Sequence, residues 1–502
     1  MTQFFRPLFT CGTYNSQVQC AVMYNTANAT CYTFDNLSAL LVGELLAVKR
    51  ESVVDTTHIA EVTGATAEQV EAFCREQLMP IGLIHDHVFS DDEWQQYRQT
   101  NPPTLRATGY EPQRDYMDSL PKYEQINLVL ELTYACSERC LHCFNEGAAR
   151  GDLHEENRLS KGMLHLANYR QIIDEAVALG IPEVTLSGGD PFSHPDCWAI
   201  LDYLHERNIA VNLQTNALAL NTSEKIRRIA RLGLKQLCVS IYSTDAAVHD
   251  RITRRQGSWE QSMHVLKELS LWPVPLSVKT PIFRLNARTY YGIRHLAREL
   301  GAETDISCVL MPGADGDVSI IEHLQTRPEA LRLILNDPMV RGCVPADGKA
   351  DGYEMGQRRG LPCSANQSII VSPTGIARCC TNLNVIYGQL PHASLKEVIL
   401  SPKRMQLLQG DQKKMFPTCG KYDYCRYCHL PCFAGERLEQ AEDGTWVLRE
   451  IQGDTCLIAK VRMEVSRLIE QGIDPLGGKS IEACLAALPE EDIPVFCKKV
   501  RK

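Results

Sequence analysis

Hydrophobic and polar positions change period several times along this chain, and the changes divide it into territories. Near the start, Thr10-Cys-Gly-Thr-Tyr14, Val18-Gln-Cys-Ala-Val-Met-Tyr24 and Thr30-Cys-Tyr-Thr-Phe34 read as short strands broken by Asn, Ser and Thr turns. Asn36-Leu-Ser-Ala-Leu-Leu-Val-Gly-Glu-Leu-Leu46 then takes the spacing of an amphipathic helix. His58–Val62 predicts a second helix stopped by Gly64. A third opens at the capping-box pattern Thr66-Ala-Glu-Gln69 and carries Val70, Phe73 and Leu78 to Gly82-Leu-Ile84. Strands followed by three helices predict a small winged-helix-like α+β domain over residues 1–95. A polar stretch with Pro102-Pro103 and Pro112 reads as a linker over 96–122, with Tyr110, Tyr116 and Met117 as candidate anchors.

Between 123 and 335 the pattern alternates strand with helix. Candidate strands are Asn127–Leu132, Glu183–Ser187, Ala210–Gln214, Gln236–Ile241, Leu276–Thr280 and Ile306–Met311, with helical runs such as Tyr169–Leu179 between them. This is an α/β pattern, and it predicts a parallel sheet with right-handed crossovers. About six units predict a partial, TIM-like (β/α)6 barrel rather than eight-fold closure. Chemistry collects at the carboxyl ends of such strands. Cys136, Cys140, Cys143, Gly188, Gly189, Asp190, Asn216, Ser240 and Lys279 all fall there.

The three cysteines stand in the run Cys136-Ser-Glu-Arg-Cys140-Leu-His-Cys143. Three thiolates on one loop cannot satisfy a tetrahedral ion alone, but they can hold three irons of a [4Fe–4S] cluster and leave the fourth open. Structural zinc comes with paired CxxC or Cys/His sets, and a relay cluster takes four cysteines. Buried structural cysteines are the plain alternative. CxxxCxxC after a first strand resembles the signature of the radical S-adenosylmethionine (SAM) superfamily, and His142, Phe144 and Asn145 match a common form of that loop. About forty residues on, Glu183-Val-Thr-Leu-Ser-Gly-Gly-Asp-Pro191 resembles the family's GGEP motif, with Asp190 in place of Glu. The resemblance implies that Gly188, Gly189 and Asp190 meet the amino group of SAM and that Ser240 meets its ribose. Asn216 and Lys279 join them by position, although each polar residue taken singly is more often a loop hydrogen-bonder than a cofactor contact.

Composition narrows the class. A chain of 502 residues with 44% hydrophobic and 23% charged content has the make-up of a soluble globular protein of several domains. No apolar run reaches the length of a membrane span, and the start lacks a secretory h-region. A net charge of −9 disfavours nonspecific nucleic-acid binding. Twenty-one cysteines at ligand-like spacings, without an export signal, fit a reducing cytoplasm and metal clusters better than disulfides.

The third territory, 340–460, carries a second cysteine pattern. Cys363, eleven residues, Gly375, four residues and Cys380 resemble the opening of the family's SPASM auxiliary-cluster domain. Further on stand Cys419, Cys425, Cys428, Cys432 and Cys456. Laid on the family's continuation, Tyr422 falls where a cysteine belongs, and Cys425 stands three residues away. The resemblance then implies one cluster on Cys419, Cys425, Cys428 and Cys456. A second would use Cys363, Cys380 and Cys432, with Cys379, Cys343 or an open site as the fourth ligand. A zinc ribbon on Cys419, Cys425, Cys428 and Cys432 is the alternative. Cys11, Cys20, Cys31, Cys74, Cys197, Cys238, Cys308, Cys484 and Cys497 read as small core residues. The tail, 461–502, has no readable role.

Together the resemblances imply a radical SAM/SPASM enzyme that modifies a ribosomally made precursor peptide (a RiPP maturase). The first ninety-five residues resemble its leader-binding recognition element, where the leader adds a strand to a sheet edge. Expected cofactors are one SAM-binding and two auxiliary [4Fe–4S] clusters together with SAM. Expected partners are the peptide and a flavodoxin- or ferredoxin-type electron donor, with no nucleic acid and no membrane. Thioether or carbon–carbon cross-linking leads. Peptide epimerisation and sulfatase-maturase-like chemistry remain open, although Thr381 follows Cys380 where that branch has an Asp. A non-catalytic iron–sulfur DNA sensor is the alternative from another class.

Overall fold

The computed structural model describes residues 3–102, 117–120, 126–145, 163–313, 318–381, 383, 385–429, 432, 438–442, 444–448 and 454–492. The chain begins with an antiparallel meander, β1 (Thr10–Asn15), β2 (Cys20–Asn25) and β3 (Thr30–Asp35), in the order β1-β2-β3. All six residues of β2 are buried, because both faces of this central strand are covered. Ala21 and Met23 pack with Leu41, Val42 and Leu45 of the helix Asn36–Ala47. Cys20, Val22 and Tyr24 face the other way and pack with Cys11, Cys31, Leu120 and Ala210 of the neighbouring barrel. Buried, uncharged thiols suit that tight face.

The two following helices end and begin where turn chemistry dictates. Asp55 caps Thr56–Thr63 by accepting from the amides of Thr57 and His58, and Gly64 closes it at φ 75°. Thr66 and Gln69 form the expected capping box of Ala67–Ala72. A further helix, Asp91–Thr100, runs into the stretch expected as linker from residue 96. Its signal was Ser90-Asp-Asp-Glu93, a second capping box, and its Trp94 packs edge-on against Phe9 at 4.6 Å. Of the expected linker anchors, Met117 packs on the Cys20–Tyr24 face, while Tyr110 and Tyr116 lie outside the described residues.

One ten-stranded sheet dominates the rest, in the order β10-β9-β8-β7-β6-β5-β4-β11-β12-β13. Its centre is six consecutive parallel strands: β4 (Asn127–Thr133), β5 (Glu183–Gly188), β6 (Ala210–Thr215), β7 (Gln236–Ser240), β8 (Leu276–Pro281) and β9 (Glu303–Ser307). This is the expected partial barrel. Leu128, Leu130, Leu132, Val184, Leu186, Val211, Leu213, Leu237, Val239, Leu276 and Val278 lie in the core beneath the helices. The alternate positions, among them Glu131, Ser187, Gln214 and Lys279, belong to the opposite, inner face.

The last strand differs from expectation. Gly301, left-handed at φ 58°, caps the helix Gly292–Leu300, so the strand starts at Glu303 and ends before most of the apolar run 306–311. The sheet also crosses the expected division near 335–340. β10 (Val340–Arg341) extends it beside β9, and β11 (Ser368–Val371) pairs parallel with β4. β12 (Ile376–Arg378) and β13 (Ile386–Gln389) continue antiparallel. A small hairpin, β14 (Leu438–Gln440) and β15 (Trp446–Leu448), precedes the helix Asp454–Glu470. Near the end, Glu491 pairs with Arg284 and Arg327, fastening the tail to the barrel. Among the described residues, no helix is long and apolar enough to cross a membrane.

Candidate functional site

The cysteine loop leaves β4 at the carboxyl end of the sheet and is held from two sides. Arg139 and Leu141 donate backbone hydrogen bonds to the carbonyls of Thr253 and Ile252, at the end of the helix Ala246–Thr253. On the other side, the amides of Gly189 and Asp190 donate to Thr133 and Ala135 at 2.6 and 3.0 Å. The two glycines are required by this approach. A Cβ on Gly188 would stand 2.2 Å from the Thr133 carbonyl oxygen, and one on Gly189 would stand 2.4 Å from those of Tyr134 and Ala135. Asn145 adds a side-chain bond to the Gly188 carbonyl at 2.7 Å.

Asp190 is turned into the protein. Its carboxylate accepts from the Thr215 hydroxyl at 2.8 Å, the Asn216 amide at 3.0 Å and the Phe192 amide at 2.9 Å. Burial pushes its pKa up, against those three hydrogen bonds. It therefore staples the ends of β5 and β6, and what the Gly-Gly-Asp turn offers outward is backbone. The Asn216 side chain points at the cysteine loop, 3.5 Å from Cys136 Sγ and 3.2 Å from Ser137 Oγ. Ser240 closes β7, opposite Lys279 on β8. Burial lowers the His142 pKa to about 3, and His249 and then Lys279 add to that lowering, which puts Lys279 near the ring.

Cys136, Cys140 and Cys143 gather in one place. Burial raises all three thiol pKa values, Cys143 to about 11, and Glu138, then Cys143 and Cys136, raise Cys140 further. Around them lies an apolar cage of Leu141, Tyr242, Ile252, Phe283, Leu285 and Leu310. Sequence reasoning missed two polar groups inside it. Glu138 is buried with Oε2 3.4 Å from Cys140 Sγ, and the Tyr242 hydroxyl lies 3.6 Å from the same sulfur. A Glu set between two of the loop's cysteines was visible in the sequence, but its burial was not; Tyr242 carried no signal beyond its place after β7.

Two further thiol sets form in the region that follows. Cys419, Cys425, Cys428 and Cys456 line one cavity with Tyr353, Met355 and Tyr424. Burial and the neighbouring thiols push Cys419 and Cys428 to about 12. The buried Arg462 braces this cavity by donating to the carbonyls of Tyr427 and Cys343 and to Asp351. Cys363 has Cys380 and Cys432 as neighbours and is likewise pushed to about 12, chiefly by burial. Cys432 Sγ touches the Met311 thioether at 3.9 Å. Of the candidates for a fourth ligand there, Cys379 is fully buried beside Cys380 and bonded to Tyr387, whereas Cys343 has Arg462, Asp351 and Asp337 for neighbours.

A network joins the first loop to the third region. Glu131, inside the barrel, accepts from Tyr134 at 2.9 Å and Thr381 at 2.9 Å and pairs with Arg378 at 3.4 Å. Tyr134 precedes Cys136 by two residues, and Thr381 follows Cys380. Glu131 interrupts an apolar strand, which was the signal to read.

Three thiols on one caged loop suit a cubane with one iron left to a ligand. Among the described residues no three His, Cys, Asp or Glu side chains converge on a single-ion site. The profile of the Radical SAM superfamily matches residues 130–271, which span this loop and the Gly-Gly turn. A PqqA peptide cyclase from Ruegeria pomeroyi is 30% identical over 286 residues, covering 54% of this chain and 73% of that protein. The chain belongs to the radical SAM superfamily. As a radical SAM enzyme it takes a [4Fe–4S] cluster and SAM. An AdoMet-dependent heme synthase from Methanosarcina barkeri is 25% identical over 338 residues, covering 62% of this chain and 93% of that protein. Mycofactocin maturase MftC from Mycobacterium tuberculosis is 25% identical over 321 residues, covering 60% and 77%.

Proposed function

We propose that this enzyme modifies a ribosomally made precursor peptide, closing a thioether or carbon–carbon cross-link. The observation that carries the reading is the gathering of three separate thiol sets, one on the barrel loop and two beyond it, in a chain 30% identical to a peptide cyclase. Cys136, Cys140 and Cys143 would hold the SAM-binding cluster. Cys419, Cys425, Cys428 and Cys456 would hold one auxiliary cluster, and Cys363, Cys380 and Cys432 another. When bound, the first cluster and SAM supply a 5′-deoxyadenosyl radical that takes hydrogen from an unactivated carbon.

The chain's own residues prepare that step. The apolar cage excludes water from the cysteine loop. Gly188 and Gly189 bring backbone to its edge, and Asn216, Ser240 and Lys279 surround the same mouth as candidate SAM contacts. The inner barrel face, with Glu131 tied to Arg378 and Thr381, leads from that mouth toward Cys380. A low-potential flavodoxin- or ferredoxin-type protein would supply the electron in a reducing cytoplasm.

The first ninety-five residues would take the leader. Their meander ends in β3, where half-buried Tyr32 and Phe34 lie over the helical core and Phe34 meets Phe73 edge-on at 6.2 Å. An extended leader beside that strand would gain main-chain hydrogen bonds and side-chain pockets. A search for a short open reading frame beside this gene, followed by co-expression and mass spectrometry, tests the function. Loss of two hydrogens is expected. An unchanged peptide mass with deuterium taken from heavy water would mean epimerisation, and an unmodified peptide would contradict the proposal.

A further inference from the structure

We propose that the Tyr242 phenol donates a hydrogen bond to the Cys140 thiolate and thereby raises the reduction potential of the SAM-binding cluster. This rests on reading Cys136, Cys140 and Cys143 as that cluster's ligands. Tyr242 is 6% exposed, and its hydroxyl lies 3.6 Å from Cys140 Sγ. The ring is held between two histidines and by its backbone. It meets His142 edge-on at 4.6 Å and stacks on His249 at 5.3 Å. Its backbone amide donates to His249 Nδ1 at 3.1 Å, and its carbonyl accepts from Asn286 at 2.8 Å. These contacts aim the hydroxyl at the sulfur.

Inside the apolar cage a phenol needs a partner. Ser240 stands within hydrogen-bonding reach of the same hydroxyl, so a chain Ser240–Tyr242–Cys140 is available. Once Cys140 binds iron its sulfur has no proton to give, and the phenol is left as the donor. Reduction adds one negative charge to the cluster and its thiolates. A donated hydrogen bond stabilises that added charge, so the reduced state gains more than the oxidised one and the potential rises. The electron itself comes from the low-potential donor protein, and Tyr242 makes its transfer less uphill. Tyr242 is thus a positioning and tuning residue, acting through Cys140.

The test uses the anaerobically reconstituted holoenzyme. Exchangeable-proton coupling to the reduced cluster is measured by ENDOR in water and heavy water. An EPR-monitored redox titration then compares wild type with Tyr242→Phe, which keeps the ring and its packing. Wild type should show an exchangeable coupling that the variant lacks, and the variant's potential should fall. A tenfold change in the reduction equilibrium reads as about 59 mV for one electron. A purely packing role would move iron content or Tm and leave both readouts unchanged. An identical set of exchangeable couplings in wild type and variant, or an unchanged potential, overturns the proposal; couplings from the Asn216 side chain and the Glu138 amide, which donate to Cys136, are expected in both. A wild type without any EPR-active cluster on this loop would instead overturn the ligand reading beneath it.

Discussion

The cysteine loop and the later thiol sets hold the same kind of side chain in different ways. Cys136, Cys140 and Cys143 lie within eight residues, on a loop bonded to Ile252, Thr253 and the Gly-Gly turn. The later sets draw on residues as distant as Cys363 and Cys432, or Cys419 and Cys456, joined through turns and the end of a helix. The difference is one of where order comes from. The first loop is held in place by the barrel's own backbone hydrogen bonds. In the second region, cluster binding would contribute folding energy, because widely separated thiolates are cross-linked by it.

The largest effect should come from the loop itself. Cys136→Ala, Cys140→Ala and Cys143→Ala should each reduce 5′-deoxyadenosine production to background while the circular dichroism of the barrel stays unchanged. Wild-type production by any one of them removes that residue from the ligand set. Metal removal should then separate the two regions. After chelation, hydrogen exchange should rise strongly over 340–460 and little over β4–β8; equal change in both would break the comparison.

Smaller effects test how the first module is joined to the barrel. Asn208, at φ 60°, accepts from the buried Arg6 at 2.6 Å and donates to the Leu46 carbonyl at 2.7 Å. Asn208→Ala should lower stability by about 1–3 kcal/mol, the range for a buried donor left unsatisfied, and increase proteolysis between the module and the barrel. Asp91 offers a pH signature. Burial raises its pKa, but the hydrogen bonds and charges of Arg227 and Arg231 outweigh that and hold it below the usual value. Its folded-state pKa is depressed, so its contribution is present above the unfolded value and is lost as pH falls through the folded one. Asp91→Asn should therefore destabilise at neutral pH and make no difference in strong acid, as followed by thermal melts at several pH values.

Much of this was legible because it was local. Period-2 runs located β4–β8, and the CxxxCxxC spacing located the loop, since both are set by neighbours in sequence. The last barrel strand was misplaced because the apolar run 306–311 outweighed Gly301, whose left-handed cap starts the strand earlier. The pairing of β11 with β4 joins Ser368 to Asn127, a contact no local pattern carries. Asp190 was expected to face a ligand and instead ties strand ends together, because its partners Thr215 and Asn216 lie on the next strand. Tyr242 reaches Cys140 across about a hundred residues, which only the folded sheet reveals.

Metal content tests the account most directly. Iron and zinc are counted in anaerobically reconstituted wild type and in the triple variant with Cys136, Cys140 and Cys143 replaced by Ala, with Mössbauer spectroscopy to identify the clusters. Three cubanes predict about twelve irons per chain, and the triple variant about eight. Stoichiometric zinc with only about four irons would contradict it and leave a ribbon in place of the auxiliary clusters.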